Sequence, residues 1–269
     1  MADDIFRKRV VYQVPGMDAV EVRRDLVYRQ ADGEELTMDV YLPPGLGEGE
    51  RRPGVLLVHG GPVPPQFSAR VKEMGVFLSY GELLAASGLI AMTFNHGFVS
   101  VAGIGASAAN VDAAIVYARE NAPDFHLDPD RLCFWAFSGG GPFLAPILRE
   151  RPPYVRSLVS YYAILDTAAF HNMLQTPTPE EIVRDYSPVN SFPAGETFAG
   201  PPILVARAGR DWPWLNATIH TFLARALAAN ATIDFMNHPQ GQHGFDTFDD
   251  DARSREIIER TIAFVKAHT

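Results

Sequence analysis

Four short, nearly continuous apolar runs constrain the fold of this chain more than any other feature of its sequence. They occupy residues 53–58, 89–94, 131–137 and 202–206. Strands buried on both faces of a parallel sheet have this pattern, because neither face meets water. Segments with helical spacing follow the runs at residues 71–87, 106–121, 139–150, 215–229 and 252–268. This alternation predicts an α/β fold with right-handed crossovers and helices on both faces of the sheet.

The N-terminal part of the chain has a different pattern. Residues 20–28 and 36–42 alternate apolar and polar side chains, with the turn dipeptide Asp32-Gly33 between them. This alternation favours an antiparallel hairpin with one face exposed to water. Two further strands are expected at residues 155–164 and 232–236. We therefore expect about eight strands in a mostly parallel sheet, the first two antiparallel.

One stretch, residues 166–199, departs from this alternation. It carries Pro177, Pro179, Pro188 and Pro193 and has no long apolar period. Such a segment is typical of an irregular or partly helical insertion, which we expect to form a small lid over one end of the sheet. Without a repeat or an interdomain linker elsewhere, the sequence predicts a single domain over residues 1–269.

Composition narrows the class of protein. The chain has 269 residues, with 23 Lys and Arg against 32 Asp and Glu, so its net charge is −9. This acidity, without a basic block, argues against a nucleic-acid partner. The single cysteine, Cys133, cannot form an internal disulfide, and its place on a buried run indicates a core thiol. No apolar stretch suggests a signal peptide or a membrane span, so we expect a cytoplasmic protein with no membrane partner.

The strongest local signal is the stretch WAFSGGG at residues 135–141, between a buried strand and a helix. A serine in this context lies on a sharp strand-to-helix turn, with its hydroxyl at the carboxyl edge of the sheet. The pattern Gly-x-Ser-x-Gly is met except for Ala136, the smallest possible replacement of the first glycine. Ser138 is therefore the candidate nucleophile. The stretch by itself also fits a serine that only caps the following helix.

A serine nucleophile needs a base, and the base needs a carboxylate to orient it. Asp211 follows the apolar run at 202–206, and His243 lies in the loop before the last helix. The order serine, acid, histidine agrees with a triad on a parallel sheet. Asp166, which also follows a strand, is the main competing acid. We interpret His238 as structural or pocket-lining, and Asp246 and the acidic residues after it as the beginning of the last helix.

An oxyanion hole is predicted from a second loop, His59-Gly60-Gly61-Pro62, which follows the first apolar run. One N–H group comes from the residue after the nucleophile, here Gly139, and one from this loop. Proline has no N–H group, so the second donor is Gly60 or Gly61, and we favour Gly61. His59 either contacts the substrate or, as is more common at such a position, ties the loop by hydrogen bonds.

Taken together, these features resemble the α/β-hydrolase superfamily. The resemblance rests on the elbow at Ser138, the loop at 59–62, the Asp211 loop, the stretch QHGF at 242–245 and the hairpin sequence LTMDVYLP at 36–43. It is nearest to the esterase, acetylesterase and dienelactone-hydrolase-like branches. Dienelactone hydrolases typically use a cysteine nucleophile, so Ser138 favours an ordinary serine esterase.

The resemblance implies an α/β-hydrolase fold and hydrolysis of an ester through an acyl-enzyme, and the apolar pocket predicted below favours a short acyl ester or a lactone. It implies no metal and no organic cofactor, since the scattered histidines lack metal-ligand spacing. The partner is then a small molecule, and a homodimer is left open. Two alternatives also remain: a non-catalytic binding protein with this fold, and perhydrolysis or C–C bond hydrolysis by the same triad.

The substrate pocket is predicted at the carboxyl edge of the sheet. Five residues at or near strand ends are candidate contacts: His59, His96, Phe137, Trp212 and Trp214. Aromatic side chains in such loops either line a cleft or pack the loops against the body of the protein. As a group they favour an apolar pocket with few charges.

Overall fold

The computed structural model describes residues 6–31, 33–193 and 195–269, and in these residues eight strands form one sheet. In chain order the strands are β1 (Glu21–Ala31), β2 (Glu34–Leu42), β3 (Arg52–Val58), β4 (Ile90–Phe94), β5 (Leu127–Phe137), β6 (Val155–Tyr161), β7 (Ile203–Ala208) and β8 (Ile233–His238). The α-helices are α1 (Gly75–Ala86), α2 (Ile104–Glu120), α3 (Leu144–Glu150), α4 (His171–Leu174), α5 (Glu180–Tyr186), α6 (Pro213–Ala228), α7 (Phe245–Phe248) and α8 (Ala252–His268).

The strands lie in the order β1-β2-β4-β3-β5-β6-β7-β8. The pairs β1–β2 and β2–β4 are antiparallel, and every later pair is parallel. The predicted antiparallel hairpin and mostly parallel sheet are therefore confirmed. Of the expected turn dipeptide, Asp32 lies outside the described residues, and Gly33 has a φ of 82°.

Alternate side chains of the central strands enter two separate cores, one on each face of the sheet. Leu56 and Val58 of β3 belong to one core, whereas Val55 and Leu57 belong to the other. The apolar runs are continuous because both faces of these strands are buried. The stretch Val101–Glu120 is apolar and long enough to cross a membrane by composition alone, but its helix packs against β1 and β5.

Two helices differ from their predicted bounds for local reasons. The expected helix at 139–150 begins as a 3-10 helix, Ser138–Phe143, and becomes α-helical only from Leu144. Pro142 lacks the N–H group that a regular helix would use at that position. Helix α6 begins two residues earlier than expected, with Pro213 in its first turn, where a missing N–H group costs nothing.

The insertion at 166–199 is partly helical in the residues described. It contains a 3-10 helix, Thr167–Phe170, then α4 and α5, and a second 3-10 turn, Pro188–Asn190. Phe170 is fully buried in the core that this insertion shares with the sheet, whereas Met173 is 47% exposed. The insertion therefore has one anchored side and one side open to solvent.

A buried ion pair joins the hairpin to the 3-10 segment Pro65–Glu73, which precedes α1. The Nζ atom of Lys72 lies 2.7 Å from Oδ1 of Asp39 on β2 and 2.7 Å from Oδ1 of Asp25 on β1. Burial lowers the pKa of Lys72, but its hydrogen bonds to both carboxylates outweigh burial, so that the pKa is raised. The Lys72 ammonium thus keeps its charge and fixes this segment.

Replacing Lys72 by methionine should leave the buried Asp39 carboxylate with only the more distant Arg24 guanidinium, at 3.5 Å, as a cation. Because breaking one side of a buried pair is costly, we expect the free energy of unfolding to fall by about 3 to 5 kcal/mol in urea titrations. Arg70→Met is the matched control, since it removes an exposed ion pair with Glu73 from the same segment. Equal losses in the two variants would contradict a stabilising role of the Lys72 pair.

Candidate active site

Ser138 lies on a sharp turn directly after β5. Its φ is 51°, a left-handed conformation that side chains other than glycine seldom adopt. The backbone carbonyl of Ser138 accepts a hydrogen bond of 2.9 Å from the N–H of Ile164, which follows β6. Ala136, the departure from the glycine pattern, is fully buried in the core on one face of the sheet. The strand and the core thus accommodate the extra methyl group.

Glycines allow the loop after β3 to approach this turn. A Cβ atom at position 139 would overlap the carbonyl oxygen of Gly61, and one at position 60 would lie 2.9 Å from the Cβ of Ser138. No side chain fits at either position, so Gly60, Gly61 and Gly139 form a backbone wall beside the serine. Nearby, the N–H of Val63 donates to the carbonyl of Phe98 at 2.8 Å.

A chain of two hydrogen bonds joins the three residues that the sequence proposes as a triad. The Nε2 atom of His243 lies 2.9 Å from Oγ of Ser138, and Nδ1 of His243 lies 2.7 Å from Oδ2 of Asp211. These groups come from the loops after β5, β8 and β7. The structure therefore brings Ser138, Asp211 and His243 together in the geometry of a nucleophile, a base and an orienting acid.

The Asp211 side chain is fully buried, and its second oxygen accepts a hydrogen bond of 2.7 Å from the N–H of Trp212. Both carboxylate oxygens are thus held. The competing acid, Asp166, instead caps the 3-10 helix of the insertion, since it accepts a hydrogen bond of 3.0 Å from the N–H of Ala168. The geometry favours Asp211 over Asp166 as the partner of His243.

The loop that carries His243 is fixed at both ends. The N–H and the side-chain amide of Gln242 donate to Asp249 at 2.8 and 2.6 Å. Gly244 follows with a φ of 75° and allows the turn into α7. His243 itself is 28% exposed, which leaves one side of its ring open to a cavity.

A cavity of about 350 Å³ opens above Ser138. It is lined by Gly60, Gly61, Pro62, Val63, Pro64, Val71, Met74, Phe77, Ser138, Ile164, Met173, Trp212, Trp214, Leu215 and His243. Trp212 and Trp214, both predicted contacts, stack on each other with ring centres 5.8 Å apart. The insertion contributes Met173. The wall is therefore almost entirely apolar, with His243 as the titratable side chain in it.

Three other predicted contacts do not line this cavity, and their interpretation as substrate-binding residues is corrected. His59 and His96 are buried beneath the loop, with rings stacked 3.6 Å apart, and Nδ1 of His59 lies 2.6 Å from the carbonyl oxygen of Gly60. Phe137 belongs to the core that contains Val55 and Leu57, where it packs against Phe77. Phe137 is the last residue of β5, whereas His59 and His96 lie one and two residues beyond β3 and β4, and all three side chains are buried. His59 instead ties the loop at 59–62 through its contact with the carbonyl of Gly60.

Burial keeps the two stacked histidines neutral. It lowers the pKa of His59 to about 4, with an opposing effect of the hydrogen bond to Gly60. It also lowers the pKa of His96 well below its ordinary value, and a charge on His59 would lower it further. An imidazolium in this stack would place a buried charge next to the loop that faces Ser138.

This pair predicts a loss of stability in acid. Unfolded histidine binds a proton near pH 6.5, whereas folded His59 stays neutral down to about pH 4. The unfolded state therefore binds more protons below pH 6.5, and folding stability is lost as the pH falls toward 4. We expect His59 alone to account for on the order of 3 kcal/mol of this loss, measured by urea unfolding at several pH values.

His59→Gln should flatten that pH dependence, because it removes the titrating group. His220→Gln serves as the control, since His220 is exposed on α6. If the free energy of unfolding decreased equally in both variants between pH 7 and pH 4, the assignment to His59 would be refuted.

Sequence reasoning missed a buried acid beside the site. Asp246, interpreted as part of the last helix, lies in the short helix α7 and is fully buried. Its carboxylate accepts hydrogen bonds from Tyr162 and Tyr80, which are 84 and 166 residues away in the chain. Asp251 caps α8 instead, with a hydrogen bond of 2.8 Å from the N–H of Ser254. No sequence pattern indicates partners at such separations.

Known proteins resemble this chain in sequence and in fold. The BD-FAE family model matches residues 38–148, which include the loop after β3 and the turn at Ser138. Est2, an esterase from Thermogutta terrifontis solved with butyrate bound, superimposes with a TM-score of 0.70 at 20% identity, over 95% of this chain and 97% of Est2. The chain therefore has the α/β-hydrolase fold. Est2 phosphorylated by paraoxon matches with a TM-score of 0.68 at 19% identity, over 96% of this chain and 97% of Est2.

A curated relative of this chain is Esterase LipQ of Mycobacterium tuberculosis (strain ATCC 25618 / H37Rv). The two sequences are 24% identical over 256 residues, which cover 87% of this chain. The chain spans 59% of the length of LipQ. The relative and the structural neighbours named here are all called esterases.

Proposed function

We propose that this protein is a serine hydrolase that cleaves carboxylic esters through an acyl-enzyme. The observation that carries the proposal is the hydrogen-bonded series Ser138, His243, Asp211, with distances of 2.9 and 2.7 Å, at the floor of an apolar cavity. A serine hydroxyl becomes a nucleophile when an oriented base removes its proton. This arrangement supplies the base and its orienting carboxylate.

The reaction follows from the position of each group. His243 accepts the proton of Ser138 as Oγ attacks the ester carbonyl, and Asp211 stabilises the imidazolium that forms. The imidazolium then protonates the departing alcohol oxygen, and the acyl-enzyme remains. Water, activated by His243, releases the acid and restores the serine by the reverse route.

The negative oxygen of the tetrahedral intermediate needs preorganised donors. We assign this role to the N–H groups of Gly139 and Gly61, with Gly60 as part of the same backbone wall. Support comes from the close approach of the two loops, since a Cβ at position 139 would overlap the carbonyl of Gly61.

The cavity favours an uncharged acyl group of modest size. Among the residues that line it in the described part of the chain there is no Lys, Arg, Asp or Glu to pair with a charged substrate. A short acyl ester or a lactone fits an apolar space of about 350 Å³. The names of the relatives support the class, since LipQ is an esterase and Est2 has been solved with butyrate and with propionate bound.

Substitution of the nucleophile tests this proposal. The wild-type protein should react with a fluorophosphonate probe and hydrolyse p-nitrophenyl acetate or butyrate. Ser138→Ala should abolish labelling and lower kcat by about 10⁴-fold or more. Labelling that survives in Ser138→Ala would refute Ser138 as the nucleophile. Absence of both labelling and turnover in the wild-type protein would favour a non-catalytic binding protein.

A matched pair of variants tests the acid. Asp211→Asn should reduce kcat by about 10⁴-fold, because the His243 ring then loses its orienting anion. Asp166→Asn makes the same change from acid to amide, but in the insertion, and should leave kcat near that of the wild-type enzyme. The assignment fails when the larger loss belongs to Asp166→Asn.

The wall residue Trp214 should set the acyl length that the enzyme accepts. Trp214→Ala enlarges the cavity, so we expect the ratio of kcat/KM for p-nitrophenyl octanoate to that for acetate to rise by about tenfold. A ratio within one variant does not depend on the fraction of folded enzyme. Leu227→Ala, at an exposed position of α6, is the control. An unchanged ratio in Trp214→Ala would show that this side of the cavity does not contact the acyl chain.

A further inference from the structure

Tyr162 packs directly against the base of the candidate triad. The ring of Tyr162 meets the His243 imidazole edge-on, with ring centres 4.8 Å apart and planes at 61°. The hydroxyl of Tyr162 points away from the cavity and donates to Oδ1 of Asp246 at 2.7 Å. The His243 imidazole thus rests against a side chain that is itself held by a hydrogen bond.

Asp246 is held on every side. Its other oxygen, Oδ2, accepts a hydrogen bond of 2.8 Å from the hydroxyl of Tyr80 on α1, and its backbone carbonyl accepts one of 2.8 Å from Val11. Burial raises the pKa of Asp246, while the two tyrosine hydroxyls and the nearby His243 oppose that shift. A fully buried carboxyl with both oxygens occupied is a rigid anchor, because moving it would break two buried hydrogen bonds.

The backbone around Tyr162 connects this anchor to the nucleophile as well. Tyr162 has a φ of 38°, an uncommon value for a residue other than glycine, and its N–H donates to Ala206 at 2.8 Å. Two residues later, Ile164 donates to the carbonyl of Ser138 at 2.9 Å. The short segment after β6 therefore touches Ser138 through its backbone and His243 through its Tyr162 ring.

We propose that Asp246, acting through Tyr162, is a positioning residue that holds the His243 imidazole in line with Ser138. This inference rests on the proposed esterase function. Asp246 touches neither substrate nor reacting atoms. It fixes the tyrosine hydroxyl, the tyrosine ring supports the imidazole, and Asp211 sets the rotation of the same imidazole from the other side. Orientation of a base within a fraction of an ångström has a large effect on rate.

The decisive comparison is between two neighbouring tyrosines. Tyr162→Phe keeps the ring and removes the hydrogen bond to Asp246. Tyr161→Phe is its matched control: Tyr161 is equally buried, and its hydroxyl pairs with Thr261 at 2.7 Å on α8, away from His243. Tyr162→Phe loses one buried hydrogen bond, and Tyr161→Phe loses the bond to Thr261 together with a longer one of 3.4 Å to the carbonyl of Ile257, so the decrease in Tm should be at least as large for Tyr161→Phe.

Only one of the two should affect catalysis. Per active site titrated with a fluorophosphonate, we expect Tyr162→Phe to lower kcat by about tenfold or more with KM nearly unchanged, because the ground-state cavity is intact while the base is misaligned. Tyr161→Phe should keep the wild-type kcat. Equal kcat values for the two variants overturn the proposal.

Variants of the acid provide a second measurement. Asp246→Asn retains an oxygen that accepts from one tyrosine, so it should preserve more of the kcat per titrated site than Asp246→Leu. A folded Asp246→Leu enzyme with wild-type kcat would overturn the proposal. A wild-type protein that neither labels nor turns over esters would instead overturn the proposed function, so the two failures are distinguishable.

Discussion

The burial of the central sheet on both faces determines where chemistry can occur in this molecule. Val55 and Leu57 enter one core while Leu56 and Val58 enter the other, so that the strand itself has no face left for a substrate. Polar and reactive groups are restricted to the loops at the strand ends. Because parallel strands end at the same edge, the loops after β3, β5, β6, β7 and β8 meet there. Residues far apart in sequence thereby become neighbours.

Buried polar groups then fix these loops. The Lys72 and Asp39 pair holds the segment whose Val71 lines the cavity, the stacked His59 and His96 support the glycine loop, and Asp246 supports the base through Tyr162. In each arrangement at least one buried polar side chain is hydrogen-bonded to another part of the protein, as is usual for buried polar groups. Rigid support of this kind maintains a geometry that an apolar contact, which has no directionality, would specify less well.

Much of this architecture could be predicted from local patterns. Continuous apolar runs indicated strands buried on both sides, and the stretch around Ser138 indicated a sharp turn between strand and helix. Asp211 and His243 followed from their places just beyond later strands. These predictions depend only on the spacing of side chains along the chain, which the backbone geometry of strands and helices translates directly into faces and edges. Pro142 changed the first turns of one helix, and its effect is equally local.

The direction of the side chains near the strand ends could not be predicted from local patterns. His59, His96 and Phe137 have the residue types of a substrate pocket and lie at the expected edge of the sheet, yet all three are buried: Phe137 packs in a core, and the two histidines stack on each other beneath the glycine loop. The acidic stretch at 246–251 predicts the beginning of a helix for Asp246, but its carboxylate is buried and binds two tyrosines that are 84 and 166 residues away in the chain. The sequence by itself determined the fold class and the candidate triad through patterns of short range. Only the tertiary structure decided which polar groups face the cavity and which are buried supports, since that depends on packing between segments with no fixed separation in sequence.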